Sequence, residues 1–142
     1  MANYSLYTDG ACSTSNWVGG VGLVIIREEQ DKQVLVSEYS RQYKNATSPT
    51  MELLAVMHGL KSFKKPIDRL DIYTDSMYVI GCATLDYKRK RNLNYWKAFD
   101  EIYANVKKLC PVIEWHHVEG HAGDKWNEYC DKLAVKASKF VQ

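Results

Sequence analysis

A chain of 142 residues has room for one domain with a real core, and little for a second. No stretch approaches the length of a membrane-spanning helix, which sets aside a helical membrane protein. The formal net charge of +2 is too small to announce a nucleic-acid partner, so the distribution of charge says more than its sum. The block Lys88, Arg89, Lys90 and Arg91, with Lys97 close behind, is where the basic residues gather. Cys12, Cys82, Cys110 and Cys130 show no close ligand spacing, which favours free thiols in a reducing compartment over disulfides or structural zinc. The opening MANYSLYTDG runs directly into a predicted strand, without a signal h-region or a basic amphipathic presequence. A cytoplasmic location is therefore the expectation, with residues 1–142 as a single domain.

In chain order, Tyr4 to Asp9 reads as a first strand, followed by the small-residue turn GACSTSNWVGG. Val18 to Arg27 gives a second strand and Gln33 to Tyr43 a third. The short turns between them favour antiparallel neighbours. KNATSPT connects to a helix from Met51 to Phe63, whose Leu53, Val56, Met57 and Leu60 face inward. Pro66 lies in the connection that ends it, and a strand follows at 69–74. Ser76 opens a short helix to about Ala83, and the basic block interrupts. A longer helix then runs from Leu93 or Asn94 to Leu109, with Trp96, Phe99, Ile102, Tyr103 and Val106 at three- and four-residue intervals. Pro111 separates it from a last strand, Val112 to Val118, and EGHAGDK leads into a final helix. This order predicts an α/β domain in which a mixed sheet is flanked by helices.

Two strands end alike. YSLYTDG places Asp9 at the end of the first, and LDIYTDSMY places Asp75 at the end of the fourth. A strand-end Asp before Gly or Ser is more often a turn or cap residue than a ligand. Glu52 adds weight, because it sits beside Met51, Leu53 and Leu54 in an apolar helix, where an unpaired carboxylate would be costly without water or a cation. Asp131 in NEYCDKLAV is a fourth acid, one helical turn beyond Asn127.

With YTDG, MEL, TDSMYV, VEGHAG and NEYCDKLA in that order, the chain resembles type 1 ribonuclease H over nearly its full length. The resemblance implies a ribonuclease H-like fold with a five-stranded mixed sheet. It also implies metal-dependent endonucleolytic hydrolysis of the RNA strand of RNA–DNA hybrids, giving 5′-phosphate and 3′-hydroxyl ends. Asp9, Glu52, Asp75 and Asp131 then become the metal ligands. Asp9 and Asp75 take the central roles, Glu52 lies on one metal and Asp131 on the other. Hard oxygen ligands suit two Mg²⁺ ions, with Mn²⁺ as a substitute. His121, in a glycine-flanked loop, becomes a proton shuttle or an aid to product release. Asn127 is a residue that orients Asp131 or the His121 loop.

For substrate, the resemblance points to Cys12, Ser13 and Asn16 in the first turn, Ser48 and Thr50 before Glu52, Ser76 beside Asp75, and the run Lys88, Arg89, Lys90, Arg91. The sequence departs from the family at Ser48 and Pro49, where paired asparagines are common, at Thr50, often arginine, and at Met77, usually polar. The interval holding DYKRKRN is too short for the basic handle helix of the best-known bacterial members. Its cations would serve as a compact phosphate-binding substitute, while Asn92 and Trp96 match the motif after the handle. The expected assembly is a monomer. Three alternatives stay open: a broader nuclease that also cuts RNA duplexes, a non-catalytic nucleic-acid-binding module, and a domain excised from a reverse transcriptase. His58, His116 and His117 are expected to be structural.

Overall fold

The computed structural model describes residues 2–119 and 124–139. Its elements are β1 (Asn3–Cys12), β2 (Gly19–Glu29), β3 (Lys32–Tyr43), α1 (Ser48–Lys61), β4 (Arg69–Thr74), α2 (Met77–Ala83), α3 (Leu93–Leu109), β5 (Val112–His117) and α4 (Lys125–Lys139). The strands form one mixed sheet in the order β3-β2-β1-β4-β5. The tight turns make β1, β2 and β3 antiparallel neighbours, whereas the helical crossovers make β4 parallel to β1 and β5 parallel to β4.

The period-2 pattern of the strands sends alternate side chains to two cores. Leu6, Val21, Leu23, Ile25, Leu70 and Ile72 face one side, where Leu53, Val56 and Leu60 of α1 and Trp96 and Phe99 of α3 cover them. Tyr7, Val24 and Ile26 face the other side, under Trp126 and Cys130 of α4. Full burial of each large side chain contributes roughly 1.5–3 kcal/mol, so the larger first core dominates the stability.

Of the boundaries that differ from the sequence expectation, two bear on the site, each for a local reason. Helix α1 begins three residues early, at Ser48, because Thr47 caps it. The Thr47 hydroxyl accepts from the Thr50 amide at 3.3 Å, and Pro49 fits the first turn, where no amide is needed. Strand β1 continues to Cys12, so Gly10 stands inside a strand and not in a tight turn. Its missing side chain serves packing: a Cβ there would lie 2.6 Å from the Glu52 nitrogen and 2.6 Å from the Met51 carbonyl carbon. The four cysteines are unpaired thiols, three of them buried.

Candidate active site

The parallel pairing of β1 and β4 sets Tyr7 beside Tyr73. Two residues further along the chain stand Asp9, inside β1, and Asp75, just past the end of β4, together at the edge where β4 ends. This is the point where chain connections leave in opposite directions, β1 toward β2 and β4 toward β5, and such switch points open a crevice in α/β sheets. Gly10 lets the first turns of α1 rest on β1 and brings Glu52 to the same spot. One oxygen from each of Asp9, Glu52 and Asp75 lies within 4.8 Å of the other two. Asp9 and Glu52 are buried, and Asp75 is half-buried.

Asp131 reaches the site from α4. Asp9 is paired with Gly22 on β2, and a Cβ at Gly22 would lie 2.5 Å from the Cys130 carbonyl oxygen. The helix backbone therefore rests on the strand backbone next to Asp9. Asp131 itself is exposed; its side chain helps to raise Asp9, but it does not join the three acids whose oxygens lie within 4.8 Å of one another.

Like charges in so small a volume disturb the acids. Burial, the charge of Asp75 and the Asp131 side chain push Asp9 up to about 8, against a partial offset from the Gly10 amide, which donates to Asp9 Oδ1 at 2.9 Å. Burial first, then Asp9 and Asp75, holds Glu52 well above the usual carboxylate range. Glu52 Oε2 and Asp75 Oδ1 are buried without a hydrogen-bond partner among the described residues. Orphaned acceptors of this kind ordinarily cost a few kcal/mol, and an all-carboxylate cluster is a hard-cation donor set. The residues fit a divalent cation.

Asp71, Glu114 and His116 form a second cluster on the sheet face. There the acids already have partners: the Arg69 cation pairs with Asp71 at 2.9 Å and Glu114 at 3.1 Å, and His116 Nε2 lies 2.7 Å from Asp71 Oδ1. Burial pushes Asp71 up, but the Arg69 and His116 hydrogen bonds outweigh it and hold Asp71 below its ordinary range. This cluster braces β4 against β5. His117 Nε2 lies 3.2 Å from the Asp75 carbonyl, and His58 meets the Tyr43 hydroxyl.

The other anticipated site residues fall in several places. His121 lies outside the described residues. Asn127 is buried in the first turn of α4, its amide donating to Asp124 Oδ1 at 2.9 Å. Cys12 Sγ lies 3.1 Å from the Ala46 carbonyl oxygen, Ser13 bonds Ser15, and Asn16 accepts from the Val18 amide, so these three hold the β1–β2 turn. Ser76 caps α2 by accepting from Val79. Ser48 is exposed in the first turn of α1.

Thr50, Lys88, Lys90 and Arg91 line a cavity of about 560 Å³ that also touches Pro49, Tyr78, Tyr87 and Asn92. Arg89 turns the other way. Its Nη1 meets Asp100 at 2.7 Å, its Nε donates to the Cys82 carbonyl, and its guanidinium lies 4.6 Å from the Trp96 ring centroid. Tyr78 and Asn92 were not anticipated in this wall. The only sequence signals were the placement of Tyr78 three residues after Asp75 and of Asn92 just after the basic run.

The RNase H family model matches residues 1–139. The chain belongs to the RNase H family. It is 36% identical over 144 residues to a ribonuclease H of Trichodesmium erythraeum, covering 95% of this chain and 88% of the relative. It is 33% identical over 148 residues to a ribonuclease H of Acetivibrio thermocellus, covering 98% and 97%. Among solved structures, it superposes on LC11-RNase H1, isolated from compost, with a TM-score of 0.75 at 22% identity, covering 96% of each chain. RNase H1 from Halobacterium salinarum gives a TM-score of 0.71 at 20% identity, covering 95% and 96%. These structures share the five-stranded RNase H fold. With its family membership and acid cluster, the chain is an RNase H-type hydrolase with the ligand set of a divalent-metal site.

Proposed function

We propose that this chain hydrolyses the RNA strand of RNA–DNA hybrids endonucleolytically, leaving a 5′-phosphate and a 3′-hydroxyl. The observation that carries the reading is the convergence of Asp9, Glu52 and Asp75 at one sheet edge, with Glu52 Oε2 and Asp75 Oδ1 buried and without a partner among the described residues. Asp9 and Asp75 would be shared ligands, with Glu52 on one flank and Asp131 on the other. Two Mg²⁺ ions, or Mn²⁺ in their place, would activate a water and stabilise the departing 3′ oxygen.

The chain's own residues do the rest. Gly10 and the strand pairing fix the acids before substrate arrives, so little reorganisation is needed on binding. Lys88, Lys90 and Arg91 present charge to phosphates around the cavity, and Thr50 adds a hydroxyl where the family often has arginine. The β1–β2 turn and the start of α1 flank the acids and would meet the RNA strand and its 2′-hydroxyls. His121 is assigned proton transfer or product release. A monomer in the reducing cytoplasm is the proposed setting, supported by the four unpaired thiols.

The test uses an end-labelled RNA–DNA hybrid with matched RNA–RNA and DNA–DNA duplexes, in Mg²⁺, Mn²⁺ or EDTA, beside Asp75→Asn protein. Metal-dependent internal cuts in the hybrid alone, absent in Asp75→Asn, are expected. Cleavage of the RNA duplex would replace hybrid specificity with a broader nuclease, and binding without cleavage would leave only a binding module.

A further inference from the structure

An Asn at a helix N-cap ordinarily turns its side chain onto the amides of its own first turn. Asn92, the N-cap of α3, does not. Its backbone is left-handed, with φ 57° and ψ 36°, and its side chain makes no capping bond. Both ends of the amide reach outward. Oδ1 accepts from Thr50 Oγ1 at 3.3 Å, and Nδ2 donates to the Tyr78 hydroxyl at 3.1 Å. The Tyr78 hydroxyl accepts a second bond from Trp96 Nε1 at 3.0 Å, and Thr50 Oγ1 lies 2.6 Å from Thr47 Oγ1, the cap of α1.

This chain of bonds joins three helices. Thr50 precedes Glu52 by two residues on α1, Tyr78 follows Asp75 by three on α2, and the buried Trp96 anchors the otherwise exposed start of α3. Most non-glycine residues avoid the left-handed backbone, and here the capping bond that an N-cap Asn could make is also left unused. Both are tolerated where a bridge between α1 and α2 is formed.

We propose that Asn92 is a positioning residue which, through Thr50 and Tyr78, holds Glu52 and Asp75 at the separation that a shared divalent cation requires. The proposal rests on the metal reading above. Asn92 touches neither carboxylate. It acts by fixing the two helices whose first turns flank them, as outer residues orient the ligands of a metal site.

Mg²⁺ titration of nucleic-acid-free protein, followed by amide chemical shifts, tests this directly. Asn92→Gly keeps the left-handed backbone accessible and removes the bridge, while Tyr78→Phe removes only the hydroxyl and covers the case in which the first variant does not fold. Mg²⁺ affinity should weaken about tenfold in Asn92→Gly and several-fold in Tyr78→Phe, in the range usual for lost outer support. In hybrid cleavage, the Mg²⁺ needed for half-maximal rate should rise correspondingly, with kcat recovering at saturating Mg²⁺. Wild-type Mg²⁺ affinity in both variants would overturn the proposal. So would a rise in KM for the hybrid with no change in Mg²⁺ dependence, which would confine Asn92 to its place in the cavity wall. Failure of the wild-type protein to bind Mg²⁺ would remove the metal reading and this proposal together.

Discussion

A Cβ on Gly10 would lie 2.6 Å from the amide nitrogen of Glu52, so the strand that carries Asp9 and the helix that carries Glu52 touch backbone to backbone. No flexible side-chain tip can yield at that contact. Gly10→Ala should push α1 outward and pull Glu52 away from Asp9 and Asp75. Overpacking of this kind costs about 1–3 kcal/mol of stability. Misplacing a catalytic group by about 1 Å costs on the order of 10²-fold in rate. Chemical denaturation and cleavage kinetics on one preparation would check both. A variant with full activity would show that the close approach is incidental.

The acids also set a pH dependence of stability for the metal-free protein. Asp9 is raised to about 8 and Glu52 is raised in the same direction, so between their unfolded values and about pH 8 the native state binds more protons than the unfolded chain. Their contribution to stability should therefore be fullest below the unfolded carboxylate range and decline as pH rises through about 8, while the lowered Asp71 acts the opposite way only at the acid end. Added Mg²⁺ should reverse the decline at pH 8 by neutralising the carboxylates. Asp9→Asn should flatten the profile and, near pH 8, stabilise the metal-free protein by on the order of 1–2 kcal/mol while abolishing cleavage. Thermal melts from pH 4 to 9, with EDTA or Mg²⁺, give the measurement. A metal-free Tm that rises over this interval would contradict the upward shift of Asp9 and Glu52 in the native state.

Local pattern carried much of this. Alternation in YSLYTD and LDIYTD gave the strands and put Asp9 and Asp75 at their ends. The Leu53, Val56, Leu60 stripe gave the helix that delivers Glu52. The pairing of Tyr7 with Tyr73 was not legible, because it depends on a crossover through two strands and a helix. Strand order came from family resemblance for the same reason. Gly10 read as a turn because glycine before small residues usually is one; the closeness of α1 is a contact between segments 40 residues apart. In the basic run, four adjacent cations look equivalent. Only the fold shows that Arg89 is drawn inward by Asp100 and Trp96 while its neighbours stay out. Asn92 was legible only as part of the motif that follows the handle, since its left-handed backbone and its bonds to Thr50 and Tyr78 leave no mark on composition.

That division within the basic run is measurable. Arg89→Ala removes an ion pair, a bond to the Cys82 carbonyl and a cation–π contact, and should cost about 1–2 kcal/mol of stability. It should leave the salt dependence of hybrid binding nearly unchanged. Replacing Lys88, Lys90 and Arg91 together by Ala should spare stability. Hybrid affinity should fall, and the slope of log K against log salt should flatten by about 2–3 for up to three lost phosphate contacts. Equal slope changes from both proteins would mean that Arg89 leaves Asp100 to meet phosphate.

The fourth acid depends on another backbone contact. A Cβ on Gly22 would lie 2.5 Å from the Cys130 carbonyl oxygen and 2.8 Å from the Ala134 nitrogen, so Gly22→Ala must lift α4 from β2. Gly22 is the partner of Asp9 across the ladder, and Asp131 follows Cys130, so the lift acts where Asp131 approaches Asp9. The substitution should cost about 1–3 kcal/mol of stability. It should also lower kcat in the same direction as Asp131→Ala, with little added loss when the two are combined, because both remove the same group from the site. The first turns of α4 supply the control: their side-chain bonds to β3, Trp126 Nε1 to Gln33 and Tyr129 to Glu38, tether the helix without touching Asp9. Tyr129→Phe should therefore destabilise by about 1 kcal/mol without changing the metal dependence of the rate. If Gly22→Ala and Asp131→Ala instead multiply in their effects on kcat, α4 influences the chemistry through more than Asp131, and its buried Asn127 is the first residue to replace.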